Sequence, residues 1–203
     1  MNIAVIGATG MAGSRVVSEL LARGHRVTGM ARHPETLAKH PALTLRPGDA
    51  REPEKLSALL AGHDAVVSAA RFLQVEGSLL IAAAKQAKVP RFLVVGGAGT
   101  LLTASGQELV DTPAVPPSSK DEALAGRAFL NLLRAEPELD WTYLSPSGMF
   151  APGARTGKFR LGLDRLLIAA DGKAGISAED FAIALADEIE RPRHSRRRFT
   201  VGY

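Results

Sequence analysis

The sequence predicts an α/β fold: a single domain built on one doubly wound sheet of parallel strands. Three observations predict it. Short apolar runs alternate with amphipathic stretches along nearly the whole chain. The first run, Ile3-Ala4-Val5-Ile6, leads directly into Gly7-Ala8-Thr9-Gly10-Met11-Ala12-Gly13 and an amphipathic stretch. The 203 residues, 46% hydrophobic and 23% charged, suit one folded domain of ordinary size with a sizeable core.

Taken in order, the elements alternate as a parallel sheet demands. After the strand Ile3–Ile6, a helix over Gly13–Arg23 carries Val16, Val17, Leu20 and Leu21 on one face, and Gly24 suits the position just past its end. Arg26–Met30 and Leu43–Leu45 read as the second and third strands. The helix Pro53–Ala61 follows, with Pro53 in the first turn, where its missing N–H is tolerated. Ala65–Ser68, helix Leu79–Lys88, Phe92–Val95, helix Lys120–Arg134 and Thr142–Leu144 continue the pattern. Helix Ala178–Glu190 and a last strand, Phe199-Thr200-Val201, complete it. Right-handed crossovers give an expected strand order of 3-2-1-4-5-6.

Two stretches resist the alternation. Thr100–Ser119 is polar and carries Pro113, Pro116 and Pro117, and Pro152–Gly175 is irregular and glycine-rich around the apolar Leu166-Leu167-Ile168. Both follow the carboxyl ends of strands, where an α/β sheet builds its ligand crevice. Residues 1–203 therefore read as one domain whose crevice is formed by the loops 97–119 and 146–176. Little chain follows the sixth strand, so no separate substrate domain is expected.

The glycines carry the chemistry. Between a strand and a helix, Gly7 permits a tight turn, Gly10 lets backbone approach a pyrophosphate, and Gly13 lets the helix pack on the strand. The free N–H groups and positive dipole of the helix start favour phosphate. This is the dinucleotide-binding pattern of a Rossmann sheet.

An NAD site usually places a carboxylate near the end of the second strand to hold the ribose 2′-OH. Here that segment reads Val27-Thr28-Gly29-Met30-Ala31-Arg32-His33, with no carboxylate before Glu35. Arg32 offers a planar, permanent cation suited to a 2′-phosphate, so the expected cofactor is NADP(H). Asp49, after Pro47-Gly48, can accept from an adenine amino group or serve as a turn residue. Ser68-Ala69-Ala70 and Gly96-Gly97 place small residues at two strand ends, where backbone can lie against a ligand or a tight crossing can be filled.

With no cysteine, the chain has no disulfide, thiolate metal site or cysteine nucleophile, and no metal is expected. No apolar run approaches the roughly 20 residues that span a bilayer. The first strand begins after two residues, so no signal peptide and a cytoplasmic address are expected. Part of the net charge of +4 lies in Arg191, Arg193, Arg196, Arg197 and Arg198. That short stretch, without an aromatic until Phe199, reads as a solvated connection rather than a nucleic-acid surface.

The chain resembles the atypical short-chain dehydrogenase/reductases, specifically the small NAD(P)-dependent epimerase/dehydratase-like proteins. Biliverdin-IXβ (flavin) reductases and NmrA-like regulators are relatives of these. The likeness covers nearly the whole chain. It rests on the glycine turn, on Pro47-Gly48-Asp49-Ala50, on Val94-Val95-Gly96-Gly97-Ala98-Gly99 and on Leu144-Ser145-Pro146. The resemblance implies that Thr9 to Met11 meet the pyrophosphate, Arg32 the 2′-phosphate, Asp49 and Ala50 the adenine, and Ser145 to Phe150 the nicotinamide end. Ala69, Ala70, Gly96, Gly97, Pro146 and Phe150 would line the cofactor.

The better-known members of that group use a Tyr-x-x-x-Lys pair and a serine or threonine after the fifth strand, the tyrosine being the general acid. Here Pro116 stands four residues before Lys120, Gly96-Gly97 replaces the hydroxyl, and the two tyrosines are Tyr143 and Tyr203. Lys120 is either a ribose contact or a solvated lysine at a helix start, while Ser145 and Ser147 are the remaining hydroxyls for polarising an acceptor. Phe72, Met149 and Phe150 are either pocket walls or plain core and loop packing. Flavin or quinone acceptors need less acid help than an isolated ketone, so an NADPH-dependent reductase with a small planar acceptor is the first expectation. The second is a non-catalytic NADP(H) sensor acting through a protein partner. A homodimer could complete a shallow pocket, and no membrane or nucleic acid is expected as partner.

Overall fold

The computed structural model describes residues 1–203. Ten strands and five helices alternate much as the apolar periodicity predicts. They are β1 (Asn2–Ile6), α1 (Met11–Ala22), β2 (Arg26–Ala31), β3 (Leu43–Pro47), α2 (Pro53–Leu60), β4 (Ala65–Ser68), α3 (Gly77–Gln86) and β5 (Phe92–Val95). Then come α4 (Pro117–Arg134), β6 (Trp141–Pro146), β7 (Met149–Ala151), β8 (Arg160–Gly162), β9 (Gly175–Ser177), α5 (Ala178–Glu190) and β10 (Arg197–Gly202). The main sheet runs β3-β2-β1-β4-β5-β6-β10-β8, so the expected order holds and two further strands extend it.

Strand alternation divides the core into two layers. Ile3 and Val5 face α1 and α5 together with Val17, Leu20, Phe181 and Leu185. Ala4 and Ile6 face α2, α3 and α4 together with Leu56, Leu80, Phe129 and Leu133. The central strands β4 and β5 are buried along their whole length, as strands covered by helices on both sides must be. Gly24, at φ +80°, ends α1 with its amide on the Leu21 carbonyl at 2.9 Å. Ser177 caps α5 by accepting from the Asp180 amide at 3.0 Å, and Glu179 and Asp180 complement the helix dipole.

The two irregular stretches are more ordered than the sequence suggests. The tract between residues 152 and 175 contains β8, which pairs antiparallel with β10 and closes the sheet edge, and it ends in β9, which pairs with β7. A three-residue strand with Gly162 in it gives too short an alternation to read from sequence. In the other tract Thr100, Leu101 and Val110 are buried, so this loop is partly core.

The two loops are also joined to each other. The Leu102 amide donates to the Asp164 carbonyl at 2.8 Å, and the Leu166 amide donates back to the Leu102 carbonyl at 3.0 Å. Arg198 corrects the expectation of a solvated basic run. It is 6% exposed, its Nε donates to Asp164 at 2.8 Å, and its Nη1 donates to the Thr100 hydroxyl at 3.3 Å. A strand residue whose Cβ points onto the α2–α4 face cannot stay in solvent, whatever its charge. Arg191, Arg193, Arg196 and Arg197 are exposed as expected.

Candidate active site

The parallel strands end together at one edge. Ile6 lies in register with Met30 and Ser68, Ala31 with Pro47, and Val95 with Leu144. The glycine turn sits at the middle of this edge. Gly7 has φ +76°, and a Cβ there would lie 2.8 Å from the Ala69 carbonyl oxygen and 3.0 Å from the Ala70 nitrogen. A Cβ on Gly13 would lie 2.1 Å from the Gly7 carbonyl oxygen, so Gly13 permits the close packing of α1 on the turn. Gly10 differs. A Cβ there would meet only the Gly7 oxygen, at 3.3 Å, and no other heavy atom within 4 Å.

The protein therefore demands glycine at positions 7 and 13 for its own packing, whereas position 10 opens outward. Around that opening the amides of Thr9, Met11, Ala12 and Gly13 make no hydrogen bond within the chain, and the first turn of α1 carries no acidic residue. Unsatisfied donors, a positive helix end and absent side-chain bulk form a cradle that fits a pyrophosphate.

Beyond the cradle, Arg32 is exposed just past β2. The ion pairs around it, His33 with Glu35 and Asp49 with Arg51, leave it out. Ala50, beside Asp49, is buried. Asp49 is already engaged: Arg51 donates from its backbone amide at 3.0 Å and from its guanidinium at 2.5–3.1 Å, occupying both carboxylate oxygens. Asp49 thus serves as a turn residue and ion-pair partner, with Arg51 on both of its oxygens. Arg51 escaped the sequence reading, although an Asp-x-Arg spacing straight after a turn is the local signal of such a pair.

At the other end of the edge the small residues have internal reasons. A Cβ on Gly96 would lie 2.3 Å from the Tyr143 ring. The Tyr143 hydroxyl accepts from the Gly97 amide at 3.0 Å and donates to the Gly126 carbonyl at 3.3 Å. Tyr143 is fully buried and stacks on Phe72, whose ring also meets Phe129 edge-on at 6.1 Å. Burial pushes the Tyr143 hydroxyl above its usual range, and the Gly97 amide offsets this only in part. It is a clamp between β5 and α4. Phe72, for which the sequence leaves a pocket wall or plain packing open, is part of this aromatic cluster.

The hydroxyl candidates separate. Ser147 donates to the Leu167 carbonyl at 3.0 Å and accepts from the Leu167 amide at 2.7 Å, so both its functions hold the chain after β8. Ser145 is fully buried in β6 and its hydroxyl has no partner. The Lys120 ammonium donates to the Val110 carbonyl and ties α4 to the preceding loop. Pro146 is buried in register with Val201, and Phe150 packs on Phe181 with ring centroids 4.8 Å apart. Met149 is largely exposed.

After β7 the chain is strapped to α1 and α5. Arg155 pairs with Glu19 at 2.9 Å, the Gly153 amide donates to Glu179 at 2.8 Å, and the Thr156 and Gly157 amides donate to Asp180 at 2.8 Å. Burial pushes the Glu19 and Asp180 carboxyls up, but hydrogen bonds from Arg155 and Arg23, and from Thr156, Gly157 and Tyr203, outweigh it and hold both below the usual range. A polar cleft of about 320 Å³ lined by Asn2, Arg26, Thr28 and His63 lies at the opposite, amino edge of the sheet and has no part in this arrangement. No helix is long and apolar enough to cross a membrane.

Comparison with known proteins gives the same outline. A family model described as NAD(P)H-binding matches residues 7–192. The Bacillus subtilis protein YwnB is 38% identical over 212 aligned residues, covering 99% of this chain and 98% of its own. A Bacteroides thetaiotaomicron structure described as a candidate epimerase superposes with TM-score 0.95 at 39% identity, over 100% of this chain and 96% of that one. A Streptococcus pneumoniae structure described as a candidate NADH-flavin reductase gives TM-score 0.86 at 33% identity, over 100% and 99%. A Burkholderia pseudomallei structure carrying an exported-protein label gives 0.89 at 43% identity, over 100% of both chains.

Proposed function

The chain belongs to the NAD(P)H-binding family, in its atypical short-chain dehydrogenase/reductase branch, and on that premise we propose an NADPH-dependent reductase acting on a flavin, quinone or similar planar acceptor. One observation carries the reading. The phosphate cradle is built and open, while at the far end of the edge the Tyr143 and Ser147 hydroxyls are committed within the protein and the unpartnered Ser145 hydroxyl is fully buried. A site that binds the coenzyme but holds no ready acid suits an acceptor that needs orientation more than protonation.

In this reading the amides of Thr9, Met11, Ala12 and Gly13 hold the pyrophosphate. Arg32 holds the 2′-phosphate through a charge-assisted fork, and Ala50 lies against the adenine. Ala69, Ala70, Gly96 and Gly97 line the middle of the coenzyme, and Pro146 and Phe150 border the nicotinamide end. The nicotinamide supplies the hydride when bound. Lys120 acts by positioning the loop before α4 through Val110, and that loop, linked to the segment 163–167, forms one side of the acceptor crevice. Water completes protonation. A cytoplasmic workplace belongs to the same reading.

The same lack of a ready acid also favours a second reading, a non-catalytic NADP(H) sensor that reports through a protein partner. Steady-state NADPH oxidation with a panel of flavins and quinones separates the two. Turnover supports the reductase; tight binding of NADP⁺ and NADPH with no turnover on any acceptor supports the sensor and removes the enzyme.

Arg32→Ala is expected to weaken NADP⁺ binding by about tenfold to a hundredfold while changing NAD⁺ binding by less than about twofold, because only the former offers a phosphate to the fork. Calorimetric titration of both coenzymes measures it, and equal loss on both would exclude the assigned role.

A further inference from the structure

At the carboxyl ends of β2 and β3, an arginine is held in place by a carboxylate beside the unpaired Arg32. The two strands are parallel, with Ala31 opposite Pro47, and the Gly48 amide donates to the Ala31 carbonyl at 3.0 Å. Arg32 and the turn bearing Asp49 therefore leave adjacent strand ends. Hydrogen bonds from the Arg51 side chain and backbone amide hold the Asp49 carboxyl down at about 2, and the charge of Arg32 adds the smallest part. Arg51 is tied at two levels. Its backbone amide and its Nε both donate to Asp49 Oδ1 at 3.0 Å, and its Nη2 donates to Oδ2 at 2.5 Å.

A guanidinium carries five N–H donors. Asp49 engages the Nε proton and one on Nη2, leaving both Nη1 protons and the second Nη2 proton free. The side chain is 61% exposed, so the free edge faces solvent while the stem is fixed. An exposed arginine normally loses substantial rotamer freedom when it binds an anion. Here Asp49 has already removed much of that freedom. The three charges of Arg32, Asp49 and Arg51 sum to one excess positive charge where the end of β2 would otherwise present an acid. A ribose hydroxyl gains little from such a cluster, and a phosphate dianion gains a second fork.

We infer that Arg51 is a second specificity-determining cation for the 2′-phosphate of the coenzyme, with Asp49 as its positioning residue. This rests on the NADP(H) reading above.

The test compares dissociation constants for NADP⁺ and NAD⁺, by titration calorimetry, in the wild type, Arg51→Ala, Arg51→Lys and Arg32→Ala. Far-UV circular dichroism and melting temperature confirm that each variant folds. Arg51→Ala is expected to weaken NADP⁺ binding about tenfold and to leave NAD⁺ within about twofold. Arg51→Lys recovers only part of the loss, because an ammonium cannot engage Asp49 and a phosphate with a planar fork. A wild type that prefers NADP⁺, with the preference lost in Arg32→Ala but unchanged in Arg51→Ala, overturns the inference and leaves the NADP(H) reading standing. A wild type that binds both coenzymes equally overturns that reading and the inference with it.

Discussion

Gly10→Val is expected to yield a folded protein that binds neither NADP(H) nor NAD(H). The backbone at Gly10 is extended, with φ −69° and ψ 169°, a conformation that valine adopts readily. Only the Gly7 carbonyl oxygen, 3.3 Å from the new Cβ, must give way slightly. Valine is a poorer helix N-cap than glycine, which costs about 1 kcal/mol and lowers the melting temperature by about 2–4 °C. Its methyl groups, however, project into the space in front of the free amides of Thr9, Met11, Ala12 and Gly13. Coenzyme affinity should fall more than about a hundredfold, or roughly 3 kcal/mol. Thermal shift with and without NADPH gives both numbers in one experiment. A retained ligand-induced shift would mean that the pyrophosphate does not sit on the glycine turn.

Gly13→Ala, three residues further on, should instead strike the fold. Alanine favours a helix over glycine by about 1 kcal/mol, so an open site would be stabilised. Here the new methyl would stand 2.1 Å from the Gly7 carbonyl oxygen and 3.1 Å from the Ala8 Cα, both backbone atoms of the tight turn. Either α1 moves off β1 or the turn deforms, and overpacking of this kind outweighs the propensity gain. A net loss of about 2–3 kcal/mol is expected, lowering the melting temperature by about 5–10 °C. An unchanged or higher melting temperature would show that α1 is not pinned to the turn. The two variants sit in one motif and separate binding from stability.

Much of this edge was legible in the chain. The glycine spacing gave the turn and the helix start because each glycine answers a local steric demand, and such demands are written within a few residues. Arg32 was legible for the same reason: it lies at a fixed distance from that turn, where an acid is the usual occupant. The fate of the hydroxyls was not legible. Ser147 turns to Leu167, 20 residues away, and Tyr143 reaches back 46 residues to the Gly97 amide and 17 to the Gly126 carbonyl. Gly96-Gly97 could be read as backbone laid against a ligand, yet at Gly96 it is the Tyr143 ring that excludes a side chain. The basic run near the end looked uniform, but strand alternation buries Arg198 and exposes Arg197.

By itself the sequence determined the strand–helix alternation, the order of the first six strands, the glycine cradle and the missing acid after β2. These depend on periodicity and on steric limits acting over a handful of residues. Only the tertiary structure decided that β8 borders the sheet, that the two irregular loops are joined, that Arg198 is buried and that Ser147 is occupied. Those outcomes depend on which distant groups meet once the layers pack, and a hydrogen-bonding side chain is claimed by whichever partner the packing brings within about 3 Å.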